Sequence, residues 1–257
     1  MMHDFNITEH HVIFMDLSLA LDLDLLASGI PFSFQRDKGA RLGVMPRNGT
    51  NNDIRWFEID PCYVFHPVNA YEKDNVITLY VSRQNSAFGA DSEDYSEVGR
   101  LHRWQIDLSS GTVSEEKVDE RPADFGRVND AHVGLENKFG YLMSLDGEGN
   151  SEEPIYGAKL YKYDLPAVSC EEHFLGHNVR GAEPVFAPAA TTAGDLAQLN
   201  EDEGWIMTLA HDETSGKSRL VIIDAQNFSA PPVATIELPF RVPYGAHGNW
   251  IPDAAIS

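Results

Sequence analysis

The chain has 257 residues, and its 40 acidic against 19 basic side chains give a formal net charge of −21. That balance argues against a nucleic-acid partner, which needs clustered Lys and Arg, and no apolar run reaches the roughly 18 residues of a transmembrane segment. Met1 to Asp4 show no signal peptide, and the two cysteines, Cys62 and Cys170, are too few for a disulfide framework, which suits a reducing, cytoplasmic setting.

In chain order, Val12–Met15 reads as a strand, and Leu17 to Leu26 as a short helix or a partly ordered connection. Strands follow at Arg41–Arg47, Ile54–Ile59, Cys62–His66 and Val76–Val81, with the turn-rich run Asn48 to Asp53 after the first of them. Leu101–Asp107 meets the turn Ser109-Ser110-Gly111, and Val113–Val118 is its hairpin partner. Further strands are Tyr141–Leu145, Lys159–Tyr163, Trp205–Ala210, Arg219–Asp224 and Ala234–Leu238, the third and fourth forming a hairpin across Glu213 to Gly216. Acidic runs at Asp91 to Glu97, Asp146 to Glu153 and Asn200 to Glu203 read as solvated loops.

Many short strands with regular turns make an all-β sandwich, barrel or propeller. One phrase, a strand ending in aspartate before a small-residue turn, recurs at Asp107, Asp164 and Asp224, at intervals of 57 and 60 residues. That is a blade-sized spacing and favours the propeller.

Five polar residues in tight, apolar contexts share nearly the same interval. His3, His66, Asp124, Glu183 and His247 are separated by 63, 58, 59 and 64 residues. Residues one blade apart converge on a propeller axis, where three imidazoles and two carboxylates make a metal site with its supporting acids. Neutral imidazole suits iron, zinc or copper; taken singly, each residue is equally an ordinary strand-end polar group. His10 and His11 are adjacent on a strand and face opposite ways, which disfavours a joint metal role. His102, His132, His173, His177 and His211 sit in polar or turn contexts and read as surface residues.

These residues also carry a resemblance. The segment from Met2-His3-Asp4-Phe5 to Phe14 resembles the one bearing the second iron histidine of the carotenoid cleavage oxygenases, a family that includes lignostilbene-cleaving enzymes. Phe65-His66-Pro67-Val68-Asn69-Ala70-Tyr71-Glu72 resembles the segment of their third histidine, and Val242 to Trp250, around His247, that of their fourth. Ala182-Glu183-Pro184-Val185-Phe186 is similar to the segment whose glutamate supports the fourth histidine, and Glu120 to Asn129, around Asp124, to that supporting the third.

The resemblance implies part of a seven-bladed β-propeller, its C-terminal blades with few short helices, as one domain over residues 1–257 that is incomplete at its N-terminus. It implies Fe2+ held by His3, His66 and His247, with Asp124 and Glu183 behind two of them. The implied reaction is cleavage of a conjugated double bond of an apolar small molecule (a carotenoid, apocarotenoid or stilbene) by O2, giving two carbonyl products. Two departures accompany it. The family's first iron histidine, and the glutamate supporting His3, would lie upstream of His3. Asp124 stands where the family has glutamate, one methylene longer, so a hydrogen bond to His66 calls for a backbone shift or a bridging water. The alternatives are an inactive truncated fragment and a non-catalytic propeller that binds a partner through its loops.

Overall fold

The computed structural model describes residues 1–28, 31–88, 98–147, 156–190, 198–243, 245 and 247–252. The acidic stretches 91–97 and 148–153 lie outside these residues, as do Tyr244 and Ala246 of the C-terminal phrase. The described chain is all-β, with large antiparallel sheets and a few short 3-10 helices. Two compact units divide it: Met1–Asp124 with Gly134–Glu136, and Phe125–Val133 with Asn137–Ser257.

In the first unit, β1 (Asn6–Ile7), β2 (His11–Asp16), β5 (Ala40–Pro46) and β6 (Arg55–Ile59) form a four-stranded sheet in the order β1-β2-β5-β6. β3 (Leu19–Leu21) and β4 (Phe32–Phe34) pair as a separate small hairpin. Leu17 to Leu26, expected as helix or loose connection, therefore divides into strand β3 and a 3-10 turn over Leu23–Ser28. The alternation of leucine with polar residues there has period two, which suits a strand better than a helix. A second meander joins β7 (Tyr63–Lys73), β8 (Val76–Gln84), β9 (Arg100–Asp107) and β10 (Thr112–Arg127). β8 is buried on both faces, and the core holds Tyr63, Trp104, Leu42, Ile77 and Ile106. Cys62 belongs to that core, and burial pushes its thiol up to about 12, so it is a packing group and not a nucleophile.

In the second unit, β11 (Phe139–Ser144), β12 (Lys159–Asp164) and β13 (Ser169–Phe174) form an antiparallel run. The other sheet is built on β16 (Gly204–Asp212), β17 (Lys217–Asp224) and β18 (Ala234–Glu237). β14 (Val179–Arg180) and β15 (Val185–Pro188) lie end to end along one edge of β16. β13 escapes a sequence reading because Ser-Cys-Glu-Glu-His-Phe is largely exposed and carries little apolar alternation. The first part of β10 is equally polar.

Aspartate recurs at strand ends for a local reason. Asp107 Oδ1 accepts the N–H groups of Ser109 and Ser110 at 2.8 and 3.1 Å, and Asp212 Oδ1 those of Thr214 and Ser215 at 2.8 and 3.2 Å. Asp164 Oδ1 accepts Ala167 N at 3.0 Å. Each closes a four-residue hairpin turn through an Asx-type bond. The hairpin aspartates are thus Asp107, Asp164 and Asp212; Asp224, expected as the third copy, sits one strand later, at the end of β17. Two of these turns end on a glycine in the left-handed region, Gly111 at φ 78° and Gly216 at φ 67°, but the third ends on Val168 at φ 52°. The β7–β8 hairpin uses a different solution, Asp74 and Asn75 at φ 52° and 62°, as a two-residue type I′ turn requires.

Lys162 is the most enclosed cation of the second unit, its side chain 3% exposed. Its ammonium donates to Asp202 Oδ2 at 2.8 Å and to Ala225 O at 2.7 Å, and lies 4.1 Å from the centre of the Phe139 ring. His173, expected at the surface, is buried, with its Nδ1 2.9 Å from Phe228 O. Its neighbours Glu171 and Glu172 are exposed, so the polar sequence context conceals an inward-facing position on β13. His102, His132 and His211 are half-buried, and His177 is exposed.

Two stability predictions follow from these positions. A β-branched residue at positive φ carries strain of about 1–3 kcal/mol, so Val168→Gly raises the unfolding free energy by about 1 kcal/mol once the extra freedom of unfolded glycine is subtracted. An unchanged or lower urea midpoint would contradict this. Lys162→Met leaves Asp202 and Ala225 O without their buried donor and costs about 3 kcal/mol by the same measurement; a loss below about 1 kcal/mol would mean that the pair is solvated.

Candidate metal centre

In the first unit, His66 is placed by a break in β7. The register with β8 shifts between Val64 and Pro67 and again before Asn69, because proline donates no ladder hydrogen bond. Its side chain is 12% exposed, and its Nδ1 lies 3.0 Å from Asp124 Oδ1, on a carboxylate only 4% exposed. The aspartate thus reaches its histidine directly, without a water. The backbone around it is irregular: the β10 register shifts between Lys117 and Pro122, and Phe125, the next residue, takes φ 59°.

His3 precedes β1 and is exposed. Its ring stands edge-on to those of His66 and Phe65, with centroids 5.1 and 5.4 Å apart. The turn beyond it is anchored to the strand that carries His66. Glu72 of β7 accepts Thr8 Oγ1 at 3.0 Å, the amide of His10, and Nδ1–H of His11 at 2.7 Å. Burial raises the Glu72 pKa, but these hydrogen bonds outweigh it and hold the carboxyl below its ordinary value. His11 is thereby tied to an anchoring carboxylate on the strand that carries His66.

In the second unit, Glu183 sits where the edge of the sheet is broken. β14 ends at Arg180 and β15 begins at Val185, and Pro184 withholds a ladder donor. Thr208 Oγ1, on β16, accepts Ala182 N at 3.2 Å and donates to Ala182 O at 2.8 Å, so the interrupted backbone stays bonded. Both Glu183 oxygens are used by the C-terminal segment. Oε1 lies 3.2 Å from His247 Nδ1, and Oε2 accepts Gly248 N at 2.7 Å. The Glu183 side chain is 6% exposed and that of His247 is 48% exposed. Beside them lies a mainly apolar cleft of about 230 Å³, lined among others by Val185, Met207, Leu220 and Val242.

Each unit thus holds an imidazole whose Nδ1 faces a buried carboxylate. A neutral ring donates Nδ1–H to that carboxylate and keeps Nε2 as its lone-pair donor. The donor set fits a metal ion that takes imidazole nitrogen. Arg127 and Thr208 also brace the Glu183 segment, and neither is marked in the sequence. Arg127 lies within the Asp124 phrase but acts on residues 56 and more positions away.

Residues 1–252 match the family model described as retinal pigment epithelial membrane protein. The chain is 34% identical to a carotenoid 9,10(9′,10′)-cleavage dioxygenase 1 of Phaseolus vulgaris, over 98% of this chain and 49% of that protein. It is 30% identical to a carotenoid cleavage oxygenase of Mycobacterium tuberculosis, over 98% of this chain and 58% of that one. Among solved structures, cobalt-substituted Synechocystis apocarotenoid oxygenase matches with a TM-score of 0.84 at 28% identity, covering 98% of this chain and 53% of that one. Pseudomonas brassicacearum lignostilbene dioxygenase matches with a TM-score of 0.85 at 27% identity, covering 98% and 55%. The chain spans about half the length of the relatives it matches, and no helix among the described residues is long and apolar enough to cross a membrane. With its histidine–carboxylate pairs and a match over nearly its whole length, the chain belongs to the carotenoid and apocarotenoid cleavage dioxygenase family.

Proposed function

We propose that this chain supplies the C-terminal blades of a seven-bladed β-propeller whose axis carries a non-haem Fe(II), and that the whole protein cleaves a conjugated double bond of a carotenoid, apocarotenoid or stilbene with O2. The carbon–carbon double bond breaks and each carbon receives one oxygen atom, giving two carbonyl products. Residues 1–257 are read as one domain of that propeller, and its cysteine content suits a cytoplasmic setting. The antiparallel meanders of each unit and the likeness to the two solved oxygenases support the architecture.

The observation that carries the reading is the pairing of His66 with Asp124 and of His247 with Glu183. His3, His66 and His247 would each supply one ligand atom. In this reading all three are ligands, and Asp124 and Glu183 orient two of them. Bound iron would supply the activation of O2. The protein's own part is binding and exclusion: neutral imidazoles, no ligating carboxylate, and an apolar wall beside His247 that suits a conjugated hydrocarbon. No side-chain acid or base is required for the cleavage.

The test is iron content together with O2-dependent cleavage of a stilbene and an apocarotenoid. Iron uptake with turnover that His247→Ala abolishes is expected; unchanged turnover in that variant would sink the assignment, and absence of uptake would favour a non-catalytic chain. A second prediction concerns Asp124. Because it already reaches His66 at 3.0 Å inside a closed pocket, Asp124→Glu overpacks the site. It should cost about 1–3 kcal/mol in urea denaturation and weaken metal affinity about tenfold by displacing the His66 ring. Full affinity in that variant would show that the backbone yields to the longer acid.

A further inference from the structure

His247 lies outside any strand, in an exposed segment after β18. A ligand on such a segment is only as well placed as whatever fixes the segment. Glu183 fixes the ring and the Gly248 amide, yet Glu183 itself stands in the broken edge between β14 and β15. The guanidinium of Arg127, the last residue of β10, meets both. Its Nη1 donates to Gly248 O at 3.2 Å and approaches Glu183 Oε1 at 3.4 Å, and its Nη2 donates to Asn249 Oδ1 at 2.9 Å. Asp130 Oδ1 lies 3.9 Å from Nη2.

We infer that Arg127 is a positioning residue for His247: its planar fork clips residues 248 and 249 to β10 while its charge compensates the buried Glu183 carboxylate. The inference rests on the iron reading for its consequence but not for its geometry. Three acceptors spread over a side chain, a backbone carbonyl and a second side chain need donors in a fixed plane. Arginine provides them; lysine offers one point charge and cannot span all three. Without the fork, Glu183 keeps its bonds to His247 and Gly248 but loses the cation that balances it, and the segment loses two of its ties to a strand. A buried carboxylate deprived of its cation is unfavourable, so the Glu183–His247 pair loosens even though neither member has changed.

Arg127→Gln and Arg127→Lys are compared with the parent chain by amide hydrogen exchange at Gly248 and by Co2+ titration. Exchange at Gly248 should accelerate about tenfold in both variants, while amides of β11, β12 and β16 keep the parent rate. Co2+ affinity should fall about tenfold in both, with no rescue by lysine. Parent-like exchange at Gly248 in Arg127→Gln overturns the inference, as does full recovery by lysine, which would leave only the charge. Should Arg127→Gln lose the protection of the strands as well, Asn249→Ala removes one arm of the clamp alone and should still loosen Gly248; parent-like exchange there also overturns it. Exchange is read without metal, so a parent chain that takes up no Co2+ refutes the iron reading separately from the clamp.

Discussion

An imidazole can ligate a metal only if one ring nitrogen keeps its lone pair and the ring is held still, and a carboxylate on the other nitrogen secures both conditions. That constraint organises the sites of this chain. Asp124 stands behind His66 and Glu183 behind His247, each carboxylate nearly shut off from water. A buried carboxylate is tolerated only with strong hydrogen-bond partners. Glu183 therefore spends its second oxygen on a backbone amide and has a guanidinium beside the first.

Both pairs are built at defects in regular structure. β7 breaks register around Pro67, β10 before Pro122, and the edge of β16 is interrupted at Pro184. A regular ladder would send alternate side chains squarely to its two faces. Departing from it re-aims one residue while the flanking strands keep their pairing. Proline enforces the departure at all three places, because it has no N–H to give to a neighbouring strand. The long strands on either side provide rigidity, and the interruptions provide aim.

The strand-rich character, two of the hairpins and the members of the His66–Asp124 and His247–Glu183 pairs were legible in the sequence, because alternation and histidines in small-residue contexts are local signals. Leu101–Asp107 with its partner, and Trp205–Ala210 with Arg219–Asp224, pair as their patterns indicate. What was hidden depends on partners distant in sequence. β13 is polar by composition and is held by its pairing with β12. His173 lies among glutamates yet faces inward. Arg127 acts on residues more than a hundred positions later. The aspartate phrase marks the geometry of a turn and not of one particular hairpin: Asp224 ends β17 and accepts Gln226 N at 2.9 Å by the same local rule as Asp107.

Asp124 shows how residue identity and backbone path are joined. A carboxylate one methylene shorter than the glutamate implied by the family resemblance would fall short of a ring placed for the longer acid. Here Asp124 Oδ1 lies 3.0 Å from the His66 ring, on a strand that changes register ahead of it and turns into the left-handed region at Phe125. A non-glycine residue at φ 59° is not a free choice; it persists because the surrounding strand pairing and the His66 contact hold it. The length of the acid, the irregularity of β10 and the position of His66 therefore form one solution. Changing any one of them alone returns the strain to the other two.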